Sequence, residues 1–87
     1  MKIKEGFMLR KVATNFVVVP VGAASVDFNG MLTMNETGAF LFEKLQKGAD
    51  KEELVEDMLK EYDVDRETAT KHIDVFVDKL EGADLFE

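Results

Sequence analysis

Gly30-Met31-Leu32-Thr33-Met34-Asn35-Glu36-Thr37-Gly38-Ala39 is the stretch in which the chain changes character. Up to Met34 the residues are apolar or β-prone, and Asn29-Gly30 just ahead is a strong short hairpin signal, because both residues tolerate positive φ. From Asn35 onward the apolar spacing becomes helical. Asn is a favoured N-cap, since its side-chain oxygen accepts one of the free N–H groups of the first turn. The stretch therefore predicts a strand, Met31 to Met34, running straight into a capped helix.

Working back towards the N-terminus, Val26-Asp27-Phe28 stands on the other side of Asn29-Gly30. Met8 to Val12 and Phe16 to Val21 read as two earlier strands joined by Ala13-Thr14-Asn15. The second is nearly all apolar and β-branched, which suits a central strand buried on both faces. Pro20 has no N–H to give, so pairing should weaken there. Three or four short antiparallel strands are expected.

Working forward, three helices follow. The first, capped by Asn35, has Ala39, Leu41, Phe42 and Leu45 as its apolar set and stops at Gly48. The second starts at Asp50, with Glu53 placed to complete a capping box, and carries Leu54, Val55, Met58, Leu59 and Tyr62. The third starts at Asp65, carries Ala69, Ile73, Phe76, Val77 and Leu80, and ends at Gly82. Strands followed by helices give one α+β domain over residues 1–87, whose small sheet needs helices on one face.

Composition removes several classes of function. Eighty-seven residues leave no room for a cleft between two domains, and without cysteine there is neither a disulfide nor a thiolate metal site. The one histidine, His72, has no partner in a ligand or catalytic pattern. Asp63 to Glu67 opens like a calcium loop, but Thr68 and Asp74 stand where the loop needs glycine and a bidentate glutamate. Asn35-Glu36-Thr37 matches a glycosylation sequon and reads as a helix cap. No enzyme, cofactor or metal is expected. A net charge of −7, from 18 acidic and 11 basic residues, disfavours nucleic acid. With no signal peptide and no apolar run of membrane length, the expectation is a cytoplasmic protein away from membranes.

Two features point to a partner. Met31, Leu32, Thr33 and Met34 form a strand apolar on both faces, without the charge or proline that blunts an edge. It is either covered by helices or an edge left open for an added peptide strand. On the third helix Val75 falls outside the core face at 100° per residue, sharing a flank with Thr68, His72 and Lys79. That stripe is either one exposed valine or the wall of a groove.

The stretch Gly30 to Ala39, with this element order and length, resembles the PqqD-like proteins. In that family an apolar strand runs into an Asn-Glu-x-Gly or Asn-x-Thr-Gly turn that opens the first helix. The resemblance covers essentially the whole chain. It implies a winged helix-turn-helix fold and the role of a RiPP recognition element. Such a non-catalytic peptide chaperone binds the leader of a ribosomally made precursor and presents it to a partner, commonly a radical SAM enzyme. It implies that the leader adds along Met31 to Met34 against the third helix; the wheel selects Thr68, His72, Val75 and Lys79. Lys47-Gly48-Ala49-Asp50-Lys51 departs from the family's frequent Asp-Gly before a Thr-capped second helix, as does the Asn29-Gly30 hairpin. The role expected is therefore leader binding in PQQ or a related modified-peptide pathway. The alternatives are a winged-helix DNA-binding regulator, which would need a basic recognition helix, and a structural adaptor of an enzyme complex. An open edge also admits a homodimer.

Overall fold

The β-branched run and its flanking turns fold into an antiparallel sheet in the computed structural model, which describes residues 1–22 and 32–87. Strand β1 (Phe7–Val12) pairs with β2 (Asn15–Pro20), from Phe7 opposite Pro20 to Val12 opposite Asn15. Asn15 thus belongs to the strand, and Ala13-Thr14 alone makes the turn, with Ala13 at φ +57°. Strand β3 (Leu32–Met34) pairs with β2 on its other side, Val18 opposite Leu32 and Phe16 opposite Met34. Among the described residues the order β1-β2-β3 leaves β3 at the edge. Pro20 ends β2, as its missing N–H requires. The strand expected over Val26 to Phe28, the Asn29-Gly30 hairpin and Met31 lie outside the described residues.

Alternation along the strands aims one face at the helices. Phe7, Val18 and Met34 are buried, and Leu9, Phe16 and Leu32 pack against the same cluster. Val17 and Val19, of the opposite parity, are half-buried, so β2 is fully covered on one face only.

Each helix begins where a short acceptor side chain replaces the missing backbone partner. For α1 (Glu36–Lys47), Gly38 N–H donates to Asn35 Oδ1 at 2.9 Å. For α2 (Lys51–Glu61), Asp50 and Glu53 form the full capping box, at 2.8 and 3.3 Å. For α3 (Arg66–Gly82), Thr68 N–H donates to Asp65 at 2.7 Å. Gly48, at φ +100°, closes α1 by donating to the carbonyls of Lys44 and Leu45. Helix α1 packs on β2 and β3, and α2 packs on α3. Leu41, Phe42, Leu45, Leu54, Ile73 and Leu80 are the fully enclosed centre. The strands-then-three-helices α+β architecture is thus the one the sequence predicts.

Two ends of the chain that carry no periodic signal complete the core. Ile3 and Leu85 are buried, and Ile3 bridges to Phe86 in antiparallel fashion. Lys4 N–H donates to the Leu85 carbonyl at 2.8 Å and Glu87 N–H to that of Lys2 at 3.0 Å. Leu59, Tyr62 and Phe76, expected in the core, are only half-buried. Tyr62 instead meets Phe40 edge to face, with ring centroids 5.5 Å apart.

The caps make stability depend on pH. Hydrogen bonds from the Thr68 side chain and then its backbone N–H hold the Asp65 carboxyl below its ordinary value. A carboxylate depressed in the folded state contributes stability that is complete above its unfolded pKa and is lost as pH falls through the folded one. Urea midpoints should therefore decline below about pH 4, the unfolded Asp range. In Asp65→Asn, which keeps a capping oxygen that does not titrate, the decline should be shallower. Identical pH profiles for the two proteins would remove Asp65 from the acid response.

Candidate functional site

Between the outer edge of β3 and the outer flank of α3 lies a groove of about 370 Å³. Helix α1 leaves the end of β3 through the Asn35 cap and packs on β2 and β3, and the Phe76 ring of α3 comes up against Gly38 in the first turn of α1. Met34, 6% exposed, and Leu41 form the floor, together with Gly38. His72, Val75, Phe76 and Lys79 line the α3 side, while Thr33, Asn35 and Thr37 line the β3 and α1 side. One contact spans the groove: Lys79 Nζ donates to the Thr33 carbonyl at 3.2 Å.

Gly38 is what lets three elements approach this closely. A Cβ built there would stand 2.9 Å from Met34 Cβ and 3.2 Å from Phe76 Cε1. The backbone of α1 touches the end of β3 on one side and the α3 aromatic ring on the other.

Of the residues singled out from sequence, the structure gathers Thr33, Met34, His72, Val75 and Lys79 around this groove. Val75 is 70% exposed, the most exposed large apolar side chain among the described residues. Leu32 is half-buried and packs against the core cluster instead. Thr68 is in the first turn of α3, where its N–H serves the Asp65 cap, and it does not line the groove. Met31 lies outside the described residues. Sequence reasoning missed Phe76, taken for core, and the α1 contributors Asn35, Thr37, Gly38 and Leu41. Glycine in the first turn of a helix was the available signal, since helices disfavour it unless something approaches closely.

The groove offers main-chain acceptors, a hydroxyl, an imidazole, apolar surface and one ammonium group. That set suits recognition of an extended chain. Among the described residues no group of three His or carboxylate side chains is placed to hold a metal ion, and no helix is long and apolar enough to cross a membrane.

A family model described as coenzyme PQQ synthesis protein D (PqqD) matches residues 15–85. The chain belongs to the PqqD family. The match runs from β2 to Leu85 and so takes in every element that builds the groove. No curated protein matches the chain. Among solved structures the chain is similar to TbiB1, determined in complex with the TbiA(beta) leader peptide. That likeness has 23% identity and a TM-score of 0.76, and it covers 100% of this chain and 95% of that one. It is also similar to a lasso peptide synthetase B1 complexed with its leader peptide. There the identity is 17% and the TM-score 0.72, over 97% and 93% of the two chains. At these identities the likeness is one of fold.

Proposed function

We propose that this PqqD-family chain is a RiPP recognition element: it takes up the leader segment of a ribosomally made precursor peptide as a strand added to β3. The observation that carries the reading is the groove between a strand edge that is unpaired among the described residues and an apolar helix flank. In an antiparallel strand one residue directs its N–H and C=O to the same side. The Thr33 carbonyl accepts from Lys79 across the groove, so it and its own N–H are the main-chain groups an added strand would pair with. Main-chain bonds supply affinity in this mode, and pockets for alternate side chains supply selectivity. Met34, Val75 and Phe76 form the apolar pocket. His72, Thr33 and Lys79 supply the polar contacts, and Met31, two residues from Thr33, would offer the next main-chain groups to the added strand, whereas Leu32 pairs back to β2. The two structural relatives solved with leader peptides support this reading.

In this role the chain acts as a single domain in the cytoplasm. It carries out no chemistry itself and presents the peptide to a modifying enzyme, of the radical SAM class in the family's usual pairing. DNA binding is disfavoured by the charges on α3. Arg66 pairs with Glu56 and Lys71 with Glu67, while Asp74, Asp78 and Glu81 offset what remains. A homodimer through β3 would occupy the same edge and compete with the peptide.

The test is a titration of ¹⁵N-labelled protein with the synthetic leader of the precursor encoded beside its gene. Amide shifts should concentrate at residues 32–34 and 72–79. A saturating peptide that leaves both segments unmoved would overturn the assignment. Val75→Asp places a carboxylate where the reading needs an apolar contact, and should weaken binding about tenfold through lost burial and the cost of drying the charge. The urea midpoint should barely move, because Val75 is exposed in the free protein.

A further inference from the structure

Lys79 is the only charged side chain among the described residues that line the groove, and it belongs to a protein of net charge −7. No carboxylate among the described residues pairs with it. The ion pairs there are Lys4–Asp84, Lys44–Asp57, Lys51–Asp74, Arg66–Glu56 and Lys71–Glu67. Lys79 Nζ instead rests on the Thr33 carbonyl. A charged ammonium on a neutral main-chain oxygen is the weaker of the partnerships open to it, since hydrogen bonds with charge on both sides are shorter and stronger.

We propose that Lys79 reads an acidic side chain on the bound segment and, in the empty protein, holds the place of the incoming strand. The inference rests on strand addition as proposed above. An added strand needs the Thr33 carbonyl for its own N–H, so it must displace Lys79. The displaced ammonium stays at the groove wall, tethered to the last turn of α3. A guest with an Asp or Glu there re-engages it, and a guest with a neutral residue leaves it without its former acceptor. Lys79 thereby penalises neutral strands as well as favouring acidic ones, which is how specificity is commonly built.

The spacing adds a pattern. His72 and Lys79 lie seven residues apart on α3, about 10 Å along the axis at about 1.5 Å per residue. A strand advances about 3.3 Å per residue. Only every second side chain of the guest faces α3, so the guest residue nearest His72 is two or four positions from the acidic one, about 7 or 13 Å along the strand.

A positional-scanning library of N-acetylated, C-amidated decapeptides, screened against the full chain, provides the test. Selected peptides should carry Asp or Glu at one position. Changing that residue to its amide should reduce affinity about two- to fivefold at low salt, the range of an exposed ion pair, and less as salt screens it. Lys79→Gln should bind the acid and amide peptides alike, and Lys79→Glu should select Lys or Arg at the same position. Binders that shift the amides of residues 32–34 without any acidic preference would overturn this inference and leave strand addition standing. An acidic preference that persists in Lys79→Gln would also overturn it. A library without any binder would overturn both.

Discussion

Phe42→Ala should be the most destabilising alanine truncation among the described residues. Phe42 is fully enclosed at the centre of α1, where that helix packs on β2 and β3. Truncating a buried phenylalanine typically costs about 3–5 kcal/mol, from lost transfer energy and from the cavity left behind. Native domains are stable by about 0.05–0.15 kcal/mol per residue, which is roughly 4–13 kcal/mol for a chain of this size. The substitution therefore removes about a quarter of the total or more, and the melting midpoint should fall by at least about 15 °C. Phe40→Ala on the same helix supplies the contrast. Phe40 is half-buried, resting edge-on against Tyr62 with the Lys44 ammonium 5.4 Å from its ring centroid. Its loss should cost about 1–2 kcal/mol, since part of that surface is already wet. Urea denaturation followed by circular dichroism measures both. Equal costs at the two positions would show that Phe42 is no more central to the core than Phe40.

The same contrast explains which parts of the fold are legible in the sequence. Asn35, Asp50 and Asp65 each satisfy a backbone N–H three residues ahead, so helix starts are local events written in consecutive letters. The core faces of α1 and α3 are likewise readable, because a helix buries one stripe whatever it packs against. Ile3 and Leu85 are not readable. They are buried because the two ends of the chain pair with each other, and segments of three or four residues hold no period to detect.

The groove divides along the same line. A helical wheel gives rotation about the axis, and His72, Val75 and Lys79, which share a flank on it, line one wall of the groove. It gives no position along the axis, so it admits Thr68, which the cap of α3 uses beyond the end of the groove. Phe76 lies between the core stripe and the groove stripe, and the wheel assigns it wholly to the core. Strand parity in turn cannot say that Leu32 leans into the core while Thr33 faces outward, because both faces of that strand read as acceptable. The α1 floor was missed because it is formed by close approach, and close approach leaves one mark in the sequence: the glycine at position 38.

Gly38→Val should damage fold and groove together, and the balance of effects makes the prediction sharp. On helix propensity alone, replacing glycine in a helix is favourable by up to about 1 kcal/mol. The packing term has the opposite sign. The new Cβ would stand 2.9 Å from Met34 Cβ, an atom fixed by the backbone of β3, and 3.2 Å from the Phe76 ring. Overpacking of this kind costs about 1–3 kcal/mol for each site that must shift, and the added methyl groups of valine extend the clash. Relief requires the end of β3 to lift or Phe76 to swing outward, and either movement invades the groove. The net expectation is a loss of about 1–3 kcal/mol in stability and a loss of peptide binding larger than that of Val75→Asp. Gly38→Ala separates the terms: it gains the full propensity benefit yet makes the Met34 contact, so its stability should stay at or below wild type. Thermal melts of both variants, with peptide titrations, decide the matter. A Gly38→Ala protein more stable than wild type by the full propensity difference would show that Gly38 is not a packing glycine. A Gly38→Val protein that binds peptide normally would move the peptide site away from the floor formed by Met34, Gly38 and Phe76.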